Sequence, residues 1–200
     1  IALTTATFIG FKHTTGATHT LDTVTVKVAT QDAKVRLVRF EFSITQAYIL
    51  EFGNLYIRVY KDNGRISTGG APVEIVTPYT TAQLFDVYFA QSADTLYISH
   101  PSHAPRKLTR SSDIAWTLAT LSFTNKPSDF CAGAGDYPRC VTFFEERLYW
   151  AGTDNKPQTI WASKSGDFLN MNQGTGLDDE SIAFTLATDD VNVIRWLKAS

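Results

Sequence analysis

Residues 92–118, SADTLYISHPSHAPRKLTRSSDIAWTL, and residues 144–170, FEERLYWAGTDNKPQTIWASKSGDFLN, share a spelling at an offset of 52 residues. Leu96-Tyr97 returns as Leu148-Tyr149, Pro105 as Pro157, Leu108 as Ile160, Ser111 as Ser163 and Trp116 as Phe168, with no gap in the alignment. Each copy reads as a strand, a polar turn, a Pro-led strand, a second polar turn and an aromatic residue that opens another strand. Repeats of about 40–50 residues made of short strands are the signature of β-propeller blades. Two copies are too few to close a ring, so the echo predicts a piece of something larger. Repeat surfaces of this kind usually bind or assemble.

Val35–Phe42, Ala47–Phe52 and Leu55–Lys61 alternate apolar and polar residues with period two, the pattern of half-buried strands. Gly53-Asn54 and Asp62-Asn63-Gly64 separate them, and these residue types tolerate the positive φ of tight hairpins. The segment therefore predicts an antiparallel meander, with Arg36, Glu41, Glu51 and Arg58 on or near one wet face. Ahead of it, residues 1–33 are Thr-rich, and Leu21–Val28 alternates as a strand while the rest reads as loop and short β.

Ser67–Pro72, with Gly69, Gly70 and Pro72, breaks the pattern and is the expected domain boundary. Val73–Val76 is a short strand. Thr80 is a candidate N-cap for a helix running to about Ala90, with Leu84, Phe85, Tyr88 and Phe89 at helical spacing. Residues 122–139 hold Pro127, Gly133, Gly135 and Pro138 and read as loop between the repeats. Ser181–Leu186 and Val191–Leu197 read as further strands, the second as the start of a third unit cut short. The expected fold is mainly β: an antiparallel meander platform over residues 1–66, a linker at 67–72, and propeller-like blades over 73–200 with truncation at the C-terminal end.

Two hundred residues at 44% apolar composition are enough to bury a substantial core. A net charge of −2 and a pI near 6.1 argue against a general nucleic-acid binder, which needs a basic stripe. The one local concentration of positive charge, Arg106, Lys107 and Arg110, reads as a solvated turn. No apolar run approaches the ~20 residues needed to span a bilayer. The chain opens on Ile1 with no signal-peptide pattern, which predicts a trimmed or processed front. Cys131 and Cys140 are nine residues apart across a Gly/Pro loop that a disulfide fits. Two cysteines do not make a disulfide framework, so the pair is either bridged or free, with free thiols expected.

Several clusters invite a chemical reading. His100 and His103 are three apart, but on an inter-strand turn stiffened by Pro101 and Pro105 that spacing carries little geometric force for a metal. Asp178-Asp179-Glu180 and Asp189-Asp190 are acidic clusters that read as solvated loops, with a divalent cation as the alternative, and the first lacks the alternation of a calcium loop. Glu145 and Glu146 fall at an expected hairpin turn, where adjacent carboxylates do not share a site. Lys164-Ser165-Gly166-Asp167 is a turn, and Gly174-x-Gly176 alone is too weak to mark a phosphate loop. Tyr88, Tyr97, Trp116, Tyr149, Trp150, Trp161 and Trp196 sit at strand phases and read as packing aromatics, with a sugar platform as the alternative. No catalytic, cofactor or metal residue is assigned.

Val35–Ser43 with Gln46–Gly53, Phe89–Ile98 with His100-Pro101 and Pro105–Leu108, and Asn192-x-Ile194-Arg195-Trp196-Leu197 together resemble a family of tail proteins of tailed bacteriophages and prophages. The resemblance spans roughly residues 35–200 and is closest to the tail tubular protein B, or nozzle, family. It implies a non-enzymatic virion component, made in the bacterial host cytoplasm, that forms a typically sixfold ring with other tail proteins as neighbours. Such a ring lines the channel through which DNA leaves, without sequence recognition, cofactor or membrane contact. Relatives carry a longer amino-terminal region and many hundreds of residues beyond the equivalent of Ser200, so the resemblance implies a fragment. A glycan-binding module at the tail surface and a hydrolase built on a propeller are the alternatives from other classes.

Overall fold

The computed structural model describes residues 4–9, 23–28, 34–43, 46–188, 190 and 192–199. The chain divides into two compact units, residues 1–34 and 35–200. In the first, β1 (Thr4–Ile9) and β2 (Thr23–Val28) pair antiparallel, from Thr4 opposite Val28 to Ile9 opposite Thr23. The strand expected over Leu21–Val28 is thus present from Thr23, and Leu21 and Asp22 lie outside the described residues.

The second unit opens with β3 (Arg36–Ser43), β4 (Gln46–Gly53) and β5 (Tyr56–Lys61), a meander as expected from the period-two alternation. Asp62 and Asn63, at φ 51° and 61°, form the two-residue turn that hands β5 to β6 (Gly64–Arg65). Positive φ at both positions matches the right-handed strand twist of a hairpin, which is why Asp and Asn stand there. The preceding turn is centred on Asn54-Leu55 instead of Gly53-Asn54, and Leu55 takes the positive φ, 66°. Gly53 belongs to β4 for a different reason: a Cβ there would lie 2.1 Å from the Tyr56 ring.

Ser67–Pro72 is a correction. It folds as a small hairpin, β7 (Ser67–Thr68) and β8 (Ala71–Pro72), around Gly69 and Gly70 at φ 58° and 81°. It divides no core. β9 (Glu74–Val76) returns to the edge of β5, and one hydrophobic cluster runs from Phe40 and Leu50 through Val73 and Leu84 to Leu108. Apolar packing is continuous across the Gly-rich stretch, so the boundary between compact units falls at residue 34. The expected helix to Ala90 is also shorter. A 3-10 helix covers Thr81–Asp86, with the Thr80 N–H donating to Gln83 Oε1 at 3.0 Å. Val87 is extended, and the aromatic residues behind it enter a strand, where β propensity and cross-strand packing override the helical spacing.

Two four-stranded antiparallel meanders follow. The first is β10 (Tyr88–Ser92), β11 (Thr95–His100), β12 (His103–Arg110) and β13 (Trp116–Thr120). The second is β14 (Cys140–Phe144), β15 (Arg147–Ala151), β16 (Thr159–Ala162) and β17 (Ile182–Thr185). The 52-residue echo holds through the first two strands of each: Ala90 faces Tyr97 as Thr142 faces Tyr149. It then slips. Leu96 stands opposite Leu108, but Leu148 exchanges hydrogen bonds with Ser163 and not with Ile160. The ungapped alignment is therefore three residues out of register at the third strand. The cause is the connection at residues 152–158, where Gly152 takes φ 73° and the Thr153 hydroxyl accepts the Lys156 N–H at 2.9 Å. Pro105 is inside β12 while Pro157 is in the turn before β16, and Trp116 opens β13 while Phe168 lies in a turn.

The three larger sheets stack. The β3–β5 face carrying Phe40, Tyr48, Leu50 and Phe52 packs on the Leu96, Ile98 and Leu108 face of the first meander. The opposite face of that meander, with Ala90 and Tyr97, packs on Val141, Leu148 and Trp150 of the second. Arg36 falls on the inner phase of β3, opposite Phe52, so it is not on the wet face. Its guanidinium lies over Phe89 and donates to the carbonyls of Leu84 and Val87 at 2.9 and 2.5 Å. Burying the aliphatic stem while the head caps unpaired carbonyls lets a charged residue occupy a core phase. The strand expected at Val191–Leu197 is also absent: residues 192–199 form no regular structure, and Val191 lies outside the described residues. Instead, the Ile194 N–H donates to Pro157 O at 2.9 Å.

Candidate functional site

The polar clusters singled out from sequence resolve into local structural roles. His100 ends β11 and His103 starts β12, so the tight turn places their rings 5.0 Å apart, and both lie against Tyr79 at 5.9 and 5.4 Å. The Ser102 N–H donates to His100 Nδ1 at 3.0 Å, which leaves the proton of the neutral ring on Nε2. His103 Nε2 meets Gln83 Oε1 at 3.0 Å, fastening the turn to the 3-10 helix. His100 Nε2, Tyr79 Oη and Arg106 Nε are buried with no hydrogen-bond partner among the described residues. Burial, followed by the neighbouring His103, pushes the His100 pKa down to about 4, and burial lowers His103 as well.

The unfolded chain takes up a proton at His100 near pH 6.5, whereas the folded chain resists it until about pH 4. Stability is therefore full above about pH 6.5 and falls as pH drops through that window, by on the order of 3 kcal/mol. Urea midpoints measured at pH 7.5 and 4.5 for wild type and His100→Phe check it. The dependence should flatten in the variant, and an unchanged slope would exclude His100 as its source.

The acidic loop is built, not merely solvated. Glu180 Oε2 accepts the N–H groups of Thr175, Gly176 and Leu177 at 2.7, 2.6 and 2.9 Å. Those main-chain donors, Leu177 foremost, hold the carboxyl below its usual pKa. Gly174 and Gly176, at φ 48° and 91°, shape the concavity, and a Cβ on Gly174 would collide with the Glu180 carboxylate. Gly174-x-Gly176 thus cradles an anion, and the anion is the chain's own. Asp179 pairs with Lys164 at 3.3 Å. The Asp190 carbonyl accepts Gln158 Nε2 at 2.9 Å, and Asp189 lies outside the described residues.

Arg147 is the residue that most organises this loop. It is buried, and its guanidinium donates to the carbonyls of Ser163 (2.9 Å), Glu180 and Asp178. Glu145 and Glu146, at φ 45° and 56°, form the expected two-residue turn before it. Lys164–Asp167 is the expected turn, closed by a bridge between Lys164 and Asp167. Cys131 and Cys140 are both free thiols, and burial pushes both upward in pKa, Cys140 to about 12.

The Arg106–Arg110 stretch is strand β12 and not a turn, and Arg110 is largely buried. Arg110 lies over Phe42 and Tyr48, donates to Tyr48 Oη at 2.9 Å and pairs with Asp113 at 2.8 Å. Asp113 also accepts Tyr48 Oη, Lys61 Nζ at 2.9 Å and Gln46 Nε2 at 3.3 Å. Tyr48 first, then Lys61 and Arg110, hold its carboxyl well below the usual carboxylate range. This cluster bolts the β12–β13 turn to the first sheet. Its members are up to 67 residues apart in sequence, and no local motif announces them.

Of the aromatic residues, Trp150, Trp161 and Tyr97 are buried, Tyr88, Trp116 and Tyr149 are half-buried, and Trp196 is exposed. Among the described residues no group of three or more His, Cys, Asp or Glu side chains is placed to hold a metal ion. Among the described residues no helix is long and apolar enough to cross a membrane. No protein-family model and no curated protein matches the chain.

What remains as candidate functional surface lies at the two ends of the sheet stack. At one end, Val35, Leu37, Ala47 and Ile49 line a groove of about 740 Å3 on the outer face of the first sheet, with Leu37 64% exposed. At the other, Thr142, Phe144, Tyr149, Ile160 and Phe184 line a cavity of about 270 Å3 on the outer face of the second meander. Residues Leu197–Ala199 border it. Scattered exposed apolar residues need no explanation, but apolar sets aligned on one sheet face mark contact surfaces.

Proposed function

We propose that the chain is a non-enzymatic structural component of a bacteriophage or prophage tail, of the nozzle type, whose meanders are propeller-like blades. It self-associates into a cyclic ring that forms part of the DNA exit channel, with other tail proteins above and below. The observation that carries this reading is the stack itself: sheets packed face to face, with apolar faces left open at both ends. Two non-equivalent open ends on one subunit suit the head-to-tail contacts from which rings are built. The sequence blocks that resemble nozzle proteins, Val35–Gly53, Phe89–Ile98 and Asn192–Leu197, add to it. A net charge of −2 suits a wall past which phosphates slide without being trapped.

Negative-stain microscopy with light scattering on the purified protein, and immunogold labelling of purified virions, test the reading. Rings and tail-localised label are expected. Monomers under every condition, together with unlabelled tails, would overturn it.

A further inference from the structure

We propose that Tyr79, His100 and Arg106 form a buried seat for one small monovalent anion, such as formate or chloride, between the first sheet and the first meander. The seat is independent of the ring and of the open ends of the stack.

Arg106 shares the phase of Leu108 on β12 and stands opposite Ile98, so it enters the layer between the first sheet and the first meander. Arg36, Arg110 and Arg147 likewise enter packed layers, and each finds carbonyls, a hydroxyl or a carboxylate there. Arg106 Nε is buried and has no such partner among the described residues. What lies beside it is Tyr79. Burial pushes the Tyr79 pKa up and the Arg106 charge draws it partly back, which sets the guanidinium within electrostatic reach of the phenol. The His100 ring completes the cluster, 5.9 Å from the Tyr79 ring and 5.0 Å from His103.

All three unpaired groups are donors. The Ser102 N–H occupies His100 Nδ1, so Nε2 carries the proton, while Arg106 Nε donates only and Tyr79 Oη carries a proton of its own. Tyr79 is fully buried and His100 is 2% exposed, where an unmatched donor is costly. The acceptors nearby are already engaged. Gln83 Oε1 accepts His103 Nε2 and the Thr80 N–H, and Asp86 lines a separate small cavity with Tyr88, Arg139 and Arg195. The cluster therefore joins one positive charge to three converging donor types, which calls for one negative charge and not for a metal ion. Size follows from burial. The Leu55 N–H pins the Tyr79 carbonyl at 2.8 Å, so the phenol does not swing out to meet a side chain from another protein. A small ion reaches it past the half-buried Arg106.

Sodium formate, and separately sodium chloride, is titrated into the full chain in a buffer of bulky anions at about pH 7.5, where the folded chain keeps His100 neutral. At about twenty times its Kd the anion should raise the melting midpoint by about 4 °C. The His100 Nε2–H proton resonance should shift along the same saturation curve. Arg106→Met should abolish both responses, and Tyr79→Phe should weaken binding several-fold. Lys107→Met, which removes a charge from the opposite phase of β12, should leave both intact. Near-UV circular dichroism verifies that each protein is folded. Tyr79→Phe removes only a hydroxyl and carries the test if Arg106→Met does not fold. A midpoint and a resonance indifferent to both anions would overturn the proposal and show that water serves as the acceptor. Responses as large in folded Arg106→Met or Tyr79→Phe as in wild type would overturn it as well, leaving only a general effect of salt.

Discussion

Arg147→Ala should lower the unfolding free energy by about 3–5 kcal/mol, because it strands three main-chain carbonyls that a buried charged donor now satisfies. Those carbonyls belong to Ser163, Asp178 and Glu180, so one side chain ties β15 to both ends of the long loop that leads to β17. The damage should spread beyond the lost bonds. Once Glu180 is released, its carboxylate no longer sits under the N–H groups of Thr175–Leu177. Amide exchange at residues 174–181 should therefore rise together with the drop in the urea midpoint. Arg147→Lys recovers only part of the loss, since one ammonium does not reproduce the planar fork that reaches three acceptors. A loss below about 1 kcal/mol in Arg147→Ala would show that water replaces the guanidinium at little cost.

Trp150→Ala should cost about 3–5 kcal/mol, the range for deleting a large buried aromatic side chain. Trp150 is fully buried where the first and second meanders meet, with Phe123 edge-on at 5.6 Å. Its indole Nε1 has no hydrogen-bond partner among the described residues. Trp150→Phe should consequently be much milder, since it keeps an aromatic ring and removes an unpaired donor. Chemical denaturation of the two variants provides the comparison. Equal losses would mean that Trp150 acts through its indole nitrogen and not through the volume it fills.

Much of the local structure was legible in the sequence. The β3–β5 meander follows from strict alternation, and the Asp62-Asn63 turn from residues that accept positive φ. The echo at Leu96-Tyr97 and Leu148-Tyr149 predicted a strand at each, and these are β11 and β15. Where the reading failed, a local signal met a longer-range one. Leu84, Phe85, Tyr88 and Phe89 sit at helical spacing, yet β10 pairs with β11 and the helix stops at Asp86. Gly69 and Gly70 look like a break between domains, yet they turn a hairpin on the side of a continuous core. The echo was carried past the second strand because alignment counts residues, whereas register depends on the shape of the turn at residues 152–158.

The alternating strands over Val35–Lys61 and the chemistry of the turn at Asp62-Asn63 are thus properties of the sequence alone, since each depends on neighbours one to three residues away. The tertiary structure alone decided the destinations of the charged residues. Arg36, Arg110, Asp113 and Arg147 look like ordinary surface charges in a string of letters. Stacking the sheets brings carbonyls and rings to Arg36, a hydroxyl, a carboxylate and rings to Arg110, and carbonyls to Arg147, while Asp113, still 41% exposed, gathers Tyr48, Lys61 and Arg110. The same stacking decided which face of each meander is covered, that of Val141, Leu148 and Trp150 against Ala90 and Tyr97, and left the outer face at Tyr149 and Phe184 open, because which sheet packs on which is set by residues far apart along the chain.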